Sequence, residues 1–213
     1  MELARVLESA GTCRYYRPDP IPTDVLRRVL DGARWAPTGG NRQPVRFVVV
    51  QDPAMKQSLQ DLYWKRWKAY SAPILEAVKK SGATVPKVLA GADHMAQHLA
   101  AIPALVVVCF RVADVLPTDL GLDRISVVAG ASIYPAVQNL LLKARDEGLG
   151  AALTTLLCAE EPAVRTLLHI PQDVGTAALL CLGWPAQPLP RKLSRRPLEQ
   201  IAFGERWDGP LPA

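Results

Sequence analysis

The sequence predicts a fold that combines α-helices with a small β-sheet. Four short apolar runs, each bounded by turn residues, have the length and composition of buried strands. They cover residues 45–50, 105–110, 150–155 and 176–183. The segments between them are longer, and their apolar residues recur every three or four positions, which is typical of helices that pack one face on a core.

The first helices are predicted from apolar stripes and from the residues that flank them. Residues 2–10 form a helix that Gly11 ends, and Thr23 is the predicted N-cap of a second helix. Asp52 and Pro53 have the residue types of an N-cap and a first helical position, so a third helix is expected to begin there.

Later helical segments are interrupted by helix-breaking residues. Residues 71–101 are predicted to be helical in short pieces, with breaks near Gly82 and Pro86. A long helix is predicted over residues 126–147, and Pro135 inside it is expected to kink it or to restart it.

Length and composition limit the class of protein. The chain has 213 residues, enough for one domain with a full core, and its 49% hydrophobic and 21% charged residues are typical of globular proteins. No apolar run approaches the ~18 residues of a transmembrane helix, and the N-terminus lacks the features of a signal peptide. We therefore expect a single domain over residues 1–213, located in the cytoplasm, with no membrane partner.

The charge and the cysteines exclude two further classes of function. The net charge is +5, but the basic residues are dispersed apart from residues 191–196, and no zinc-finger or RNA-binding signature accompanies them. We predict no nucleic-acid partner, because a basic cluster that binds a phosphate-bearing small molecule requires fewer assumptions. The four cysteines form no Cys-x-x-Cys pair and are predicted to be reduced residues, mostly in the core.

Two groups of side chains allow alternative interpretations. His94 and His98 have the spacing of two metal ligands on a helix, but no recognisable third ligand lies near them, so we predict no metal site. Trp64, Trp67 and Tyr70 lie beside lysines and an arginine, and they are compatible with core packing, with the roof of a pocket or with packing on a partner.

The central feature of the sequence is the loop of residues 37–43, Pro-Thr-Gly-Gly-Asn-Arg-Gln, between a helix and a strand. Gly39 and Gly40 allow the main chain to approach a ligand closely, and Asn41 and Gln43 each carry both a donor and an acceptor. A flat ligand with polar edges suits such a loop. An ordinary turn that ends a helix has a similar composition, so the residues alone leave both interpretations open.

This loop resembles the APSGGNRQPW-type motif of the FMN-dependent nitroreductase family. Thr38 stands where the motif usually has serine, and Val45 stands where it has an aromatic residue. The other segments that resemble family features, in the family's order, are residues 14–22, 148–150, 183–185 and 195–199. By this resemblance the chain is identified as a member of the family over nearly its whole length.

The resemblance implies the following fold and activity. The fold is α+β, a nitroreductase-like three-layer α/β/α sandwich with a central mixed, mainly antiparallel sheet and an extended C-terminal arm. The arm, residues 184–213, wraps the partner subunit of a homodimer that binds FMN at the subunit interface. NADH or NADPH reduces the FMN in a ping-pong cycle, and a small acceptor such as a nitroaromatic or quinone receives the electrons.

Two alternative functions remain open from the sequence. One is a flavin-binding protein without turnover. The other is a specialised family member of the dehalogenase, desaturase or flavin-fragmenting type, without general NAD(P)H nitroreductase activity. The sequence lacks Gly-x-Gly-x-x-Gly and P-loop motifs. That absence suits an enzyme in which a nicotinamide cofactor and the acceptor use one flavin site in turn.

The resemblance also implies the residues that bind the FMN phosphate. They are Thr12, Arg14 and Arg195, with Arg196 as the alternate for Arg195, and the guanidinium fork suits bidentate contact with phosphate. The family's usual Arg-Arg-Ser triplet reads Ala-Gly-Thr at residues 10–12, so one expected phosphate arginine is missing.

Arg17 and Lys192 are the candidates to replace the missing cation. The residues that the resemblance places at the flavin ring and ribityl chain are Pro37, Thr38, Gly39, Asn41 and Gln43. The backbone amides of Thr154 and Thr155 are expected to face the reactive ring nitrogen, with the Thr155 amide as the main candidate. His98 is a further candidate flavin contact. We predict no side-chain acid, base or nucleophile, because the flavin carries the hydride chemistry.

Overall fold

The computed structural model describes residues 1–211, which form helices and strands joined by connections of different lengths. In chain order they are α1 (Leu3–Ser9), α2 (Thr23–Ala33), β1 (Val45–Val50), α3 (Pro53–Ser81), α4 (Lys87–Gln97), β2 (Ala104–Arg111), α5 (Tyr134–Asp146), β3 (Gly150–Thr154), α6 (Glu161–Leu168) and β4 (Val174–Gly183). Each predicted strand is found within two residues of its predicted ends. In the described part of the chain, no helix is long and apolar enough to cross a membrane.

The strands form one sheet in the order β1-β2-β4-β3, and every neighbouring pair is antiparallel. A single parallel bridge joins Thr12 to Ala151 of β3, where the Cys13 amide donates to the Ala151 carbonyl at 2.8 Å. The predicted mixed, mainly antiparallel sheet is therefore confirmed. The two outer strands leave two edges, and residues 12–13 cover part of the β3 edge.

The sheet lies between two layers of helices. Alternate residues of β2 point to opposite faces, so Leu105 and Val107 pack with α3, α4 and α6, whereas Val106 and Val108 pack with α2 and α5. All four side chains are at most 1% exposed. Burial of such side chains contributes about 1.5–3 kcal/mol each. The predicted three-layer α/β/α arrangement is confirmed.

The structure corrects the prediction that the helical pieces after residue 71 are all short. Helix α3 continues without a break through Pro73 to Ser81 and ends at Gly82, which has φ +66°. A proline inside a helix removes one backbone hydrogen bond, but residues 72–80 are almost all exposed, so water can solvate the carbonyl left without a partner. The predicted breaks near Gly82 and before α4 are confirmed.

The helix predicted over residues 126–147 is wrong in its first part. Helix α5 begins only at Tyr134, and Pro135 lies in its first turn, where a missing N–H costs nothing. Before it, Val128–Gly130 forms a single 3-10 turn, and the Ser126 hydroxyl donates to Asp119 Oδ1 at 2.6 Å. Of the two alternatives expected for Pro135, the kink does not occur and the restart of the helix does, because Pro135 lies in the first turn of α5.

Two helix starts test the capping predictions. Asp52 is the N-cap of α3, and its Oδ1 accepts a hydrogen bond from the Met55 amide at 2.9 Å, as predicted. Thr23 is not an N-cap, because it is already the first residue of α2 and Pro22 occupies the cap position without a side-chain hydrogen bond.

The C-terminal arm has almost no regular structure. Between residues 185 and 211 the structure contains one 3-10 turn, Leu198–Gln200. The beginning of the arm packs on its own chain, where the Ala186 amide donates to Tyr15 O at 2.9 Å and the Leu193 amide donates to Glu8 O at 2.7 Å. Residues 185–211 thus lack α-helices and strands, as expected for an arm, and its wrapping of a partner subunit stays a prediction. Residues 212–213 of the predicted arm lie outside the described residues.

The four cysteines are free, as predicted. Cys13, Cys109 and Cys181 are buried, and Cys158 is half-buried. Burial raises the pKa of Cys109 to about 11 and that of Cys181 to about 12. These two thiols are therefore protonated core residues at neutral pH.

Candidate functional site

A cleft of about 310 Å³ lies at the C-terminal end of β3. It brings together Thr12, Arg14, Thr154 and Thr155, and we call it the β3 cleft. Thr12 and Arg14 come from the extended segment after α1, which the bridge to Ala151 fixes beside β3. Four of the predicted site residues thus meet in one place, although they are far apart in the sequence.

The opposite wall of the β3 cleft is formed by aromatic residues of α3. Tyr63, Trp67 and Tyr70 lie on one helical face, and the Tyr63 hydroxyl is 3.1 Å from Thr154 Oγ1. Burial raises the pKa of Tyr63 to about 12, so its hydroxyl is neutral at physiological pH. The Trp67 indole donates to Asp93 Oδ1 at 2.7 Å.

Core packing and the roof of a pocket, two of the interpretations of Trp64, Trp67 and Tyr70, each apply to part of this group. Trp67 is 4% exposed and belongs to the core, yet it also lines the β3 cleft. Tyr70 is 54% exposed and lines the same cleft. Trp64 packs against the core and does not line the β3 cleft. Tyr63 and Asp93 were not predicted to be cofactor-binding residues, although Tyr63, Trp67 and Tyr70 have the spacing of one helical face.

A smaller cleft lies on the other side of Arg14 and includes His94 and His98. The rings of Tyr15, His94 and His98 stack in sequence, with centroids 4.5 Å and 4.3 Å apart. Burial, with a smaller contribution from His98, lowers the pKa of His94. His98 is exposed and lies next to Arg14 in this smaller cleft, not in the β3 cleft.

The two histidine rings are stacked, with 27° between their planes, and His98 Nδ1 lies 2.8 Å from the His94 carbonyl oxygen. Within residues 1–211, no group of three His, Cys, Asp or Glu side chains is placed to bind a metal ion.

The loop of residues 37–43 lines a different cleft, of about 410 Å³, between α2, β1 and α5. We call it the loop cleft. Thr38 and Gln43 line it, and the Thr38 hydroxyl accepts the Gln43 amide hydrogen at 3.1 Å. Gly40, Asn41 and Gln43 have φ of +58°, +53° and +49°. Two of these are not glycine, and such backbone is maintained only where the surroundings impose it.

Pro37, Gly39 and Asn41 are exposed and line neither cleft. The Gly39 amide donates to Ser132 Oγ at 3.1 Å, and a Cβ on Gly39 would meet only that oxygen, at 3.7 Å. The loop therefore presents an open face with little side-chain bulk. The loop cleft and the β3 cleft share no lining residue and lie on opposite sides of the sheet.

Arg195 and Arg196 lie exposed on the arm, away from both clefts. One Arg195 terminal nitrogen donates to the neighbouring Ser194 carbonyl at 2.8 Å. Within the described chain the structure does not bring these arginines to the residues of the β3 cleft.

A third cleft, of about 290 Å³, adjoins the β3 cleft. We call it the end cleft, because it lies where α1 ends. Its lining residues are Ala10, Gly11, Thr12, Leu141, Arg145, Leu149, Ala151, Leu153 and Leu189. Thr12 and Leu153 line both clefts, so the two are continuous. Arg145 was not predicted to lie at a cleft, because a basic residue in the last turn of a helix is common.

The protein therefore has an α+β fold in which one antiparallel sheet lies between two helical layers, with the β3 cleft at the end of a strand. The chain belongs to the Nitroreductase family, whose model matches residues 7–184. As a member of this family, it is an oxidoreductase-type enzyme.

Individual relatives agree on the family and differ in their activities. The chain is 29% identical over 198 residues to a Thermus thermophilus protein named NADH dehydrogenase, with 89% of each chain covered. It is 31% identical over 200 residues to a 5,6-dimethylbenzimidazole synthase of Rhodospirillum rubrum, with 93% of this chain and 87% of the relative covered.

A solved structure shows the same fold. It is an iodotyrosine deiodinase bound to FMN and 3-iodo-L-tyrosine, with a TM-score of 0.72 and 22% identity. The match covers 96% of this chain and 99% of that one.

Proposed function

We propose that this protein is an FMN-dependent oxidoreductase that takes electrons from NADH or NADPH and passes them to a small acceptor such as a nitroaromatic or quinone. The observation that supports this proposal best is the β3 cleft. It combines the Arg14 cation, the Thr12 hydroxyl and the backbone around Thr154 and Thr155 with an aromatic wall.

These features fit the chemistry of FMN. A flat ring system needs apolar enclosure, which Tyr63 and Trp67 offer, and its polar edge needs donors and acceptors. A phosphate needs cations and hydroxyl or amide donors, and Thr12 and Arg14 are of those types. We assign Arg195, with Arg196 as alternate, to the same phosphate, and His98 to a peripheral contact beside Arg14.

When bound, FMN supplies hydride and electron transfer. The contribution of the chain is position and electrostatics. We assign the backbone amides of Thr154 and Thr155 to donate toward negative charge at the ring, with no side-chain acid or base. The neutral Tyr63 hydroxyl fixes the Thr154 side chain at 3.1 Å, which orients this end of β3.

The proposal includes a homodimer. The loop of residues 37–43 presents an open face, and we assign its Pro37, Thr38, Gly39, Asn41 and Gln43 to an FMN that is shared between subunits. Exposed apolar residues provide the surface that a second copy would cover. Examples are Leu120, Ile125, Val127, Ile201 and Trp207, which are 63–88% exposed. Apolar exposure of this extent favours association.

Selection of the acceptor is assigned to residues 63–86 and 116–123. The first range includes Tyr70, which lines the β3 cleft, and the distal half of α3. The second precedes α5 and is mostly exposed.

The decisive experiment is an anaerobic visible spectrum of the FMN-loaded protein, recorded before and after addition of NADPH and then NADH. We expect the flavin absorption to bleach with at least one of them and to return when a nitroaromatic or quinone is added. Bound flavin that stays oxidised with both nicotinamides would favour a flavin-binding protein without turnover. Failure to bind any flavin would contradict the whole proposal.

A second candidate is an enzyme of the flavin-fragmenting type. It is favoured by the 31% identity to the protein named 5,6-dimethylbenzimidazole synthase, since dimethylbenzimidazole contains the dimethylbenzene unit of the flavin ring. Admission of oxygen to the reduced protein separates the two functions. Full return of the oxidised flavin spectrum supports the first function, and loss of flavin with formation of a benzimidazole supports the second.

A further inference from the structure

The N-terminal wall of the end cleft has no positively charged side chain. Ala10 and Gly11 line this cleft at the positions where the resemblance leads us to expect two arginines, so the N-terminal segment contributes no cation here. Thr12 joins the end cleft to the β3 cleft. A flavin ring in the β3 cleft would therefore place its phosphate tail toward a cleft whose first wall carries no charge.

The structure also explains why an arginine does not fit at position 11. A Cβ on Gly11 would lie 2.9 Å from Pro190 Cγ and 3.1 Å from Leu193 Cδ2. The C-terminal arm thus occupies the space that a side chain at this position would need. A cation for this cleft has to come from another element.

Arg145, from the last turn of α5, lines the opposite wall of the end cleft. Its Nε donates to the hydroxyl of Ser9 at 3.0 Å, and Ser9 is 3% exposed. Ser9 in turn donates to the Arg5 carbonyl at 2.6 Å. This buried partner fixes the guanidinium through Nε and leaves its two terminal nitrogens to face other groups.

The charge of Arg145 is not neutralised by a carboxylate. Among residues 1–211, no Asp or Glu oxygen lies within 4.0 Å of its guanidinium, whereas Lys143 on the same helix turn contacts both Asp146 and Glu147 at 2.7 Å. A half-buried arginine without a counter-ion, held at the wall of a cleft, is suited to bind an anion.

Arg17 and Lys192, the two candidates from the sequence to replace the missing arginine, are less suitable for binding an anion in the end cleft. The Arg17 Nε lies 3.4 Å from Asp19, and the Lys192 Nζ lies 3.9 Å from Glu8. Both side chains are more than half exposed, and neither lines the end cleft or the β3 cleft.

We infer that Arg145 binds the phosphate of the flavin cofactor in the end cleft, together with the Thr12 hydroxyl, and thereby replaces the arginine that Ala10 and Gly11 lack. This inference rests on the proposed function, because it takes FMN as the ligand. It adds a specific consequence: α5 contributes to recognition of the phosphate, beside Arg14 and Arg195, and does not contribute to recognition of the ring.

The test compares FMN with riboflavin, which has the same ring and no phosphate. Flavin-free protein is titrated with each, and dissociation constants are measured from flavin fluorescence for wild type, Arg145→Gln and the control Arg17→Gln. For Arg145→Gln we expect FMN affinity to fall by about 10- to 100-fold, the range for loss of a charge-assisted hydrogen bond. We expect riboflavin affinity to stay within about twofold, and Arg17→Gln to leave both constants unchanged.

Because Arg145 also bonds Ser9, two further variants separate binding from folding. Ser9→Ala removes the bond and keeps the charge, so FMN affinity should fall less than in Arg145→Gln. Arg145→Lys keeps the charge without the fork and should give an intermediate FMN affinity; it replaces Arg145→Gln if that variant does not fold by circular dichroism.

The outcomes distinguish the inference from the proposed function. Unchanged FMN affinity in Arg145→Gln, or an equal loss for FMN and riboflavin, would overturn the role of Arg145 and leave the proposed function intact. Wild-type protein that binds neither flavin would overturn both.

Discussion

Strand β4 and the loop of residues 37–43 differ in almost every respect. β4 pairs with β2 on one side and with β3 on the other, and all of its residues except Thr176 are buried. The loop is mostly exposed, has positive φ at three residues, and makes side-chain hydrogen bonds largely within itself. β4 stabilises the fold, whereas the loop is proposed to bind the flavin, so substitutions in the two regions can test stability and ligand binding separately.

The largest effect is expected for Leu180→Ala in β4. Leu180 is fully buried, between Val106 and Leu153 on the neighbouring strands. Truncation leaves a cavity and should lower the free energy of unfolding by about 2–5 kcal/mol. Urea denaturation at fixed protein concentration measures this loss. Leu198→Ala, at a residue that is 58% exposed, should change it by less than about 0.5 kcal/mol; similar losses in both variants would contradict the contrast between core and arm.

The next effect is expected for the basic residues of the arm. Arg195→Ala should weaken FMN binding by roughly 1.5–3 kcal/mol through loss of a charge-assisted phosphate contact. The urea midpoint should not change, because Arg195 is exposed and its side chain bonds only the adjacent Ser194 carbonyl. Arg196→Ala is the matched control. A loss in Arg196→Ala alone would transfer the role to Arg196, and no loss in either would remove the arm from phosphate binding.

The loop is tested by Gly39→Val. The added side chain should obstruct approach of the ring to the backbone and weaken FMN binding by about 1–3 kcal/mol, the usual cost of overpacking. The flavin-free protein should keep its stability, since a Cβ at Gly39 meets only Ser132 Oγ, at 3.7 Å. Gly121→Val is the control, because a Cβ there has no neighbour within 4 Å. Full flavin occupancy of purified Gly39→Val would show that this loop lies elsewhere than at the flavin.

The smallest effect concerns His94 and the pH dependence of stability. Burial lowers the pKa of His94 below its usual value near 6.5, so the folded state favours the neutral ring. Below about pH 6.5 the unfolded chain binds a proton that the folded chain does not, and the contribution of His94 to stability falls as pH falls. Melting curves between pH 8 and pH 5 should show a smaller decrease for His94→Phe, which can still stack on Tyr15. An identical decrease in both proteins would contradict this assignment.

The positions of the four strands and their burial could be predicted from the sequence. Apolar runs such as residues 105–110 are long enough for a strand and too short for a helix, so their type is clear. The start of α2 was predicted one position late, because Thr23 can be either an N-cap or the first residue of a helix. The start of α5 was predicted too early, because Pro135 can lie either inside a kinked helix or in the first turn of a new one. Only the packing of neighbouring segments decides between these alternatives.

The candidate site was predictable only in part. The sequence named Thr12, Arg14, Thr154 and Thr155, which do meet in the β3 cleft. It could not show that Arg145 faces the same region from α5, since this depends on the contact of α1 with α5. Nor could it show the continuous course of α3 through Pro73, which depends on solvent around the distal half of the helix.

The two outer edges of the sheet have a consequence for solubility. Residues 12–13 pair with the outer edge of β3, and a terminal nitrogen of Arg46 in β1 donates to the carbonyls of Gln43 and Val45 at 2.8 Å each. Exposed strand edges are templates on which other chains can add strands. Here one edge is partly occupied by the chain's own backbone, and the start of the other carries a charged side chain that would have to be displaced. Aggregation through sheet edges is therefore disfavoured at high protein concentration.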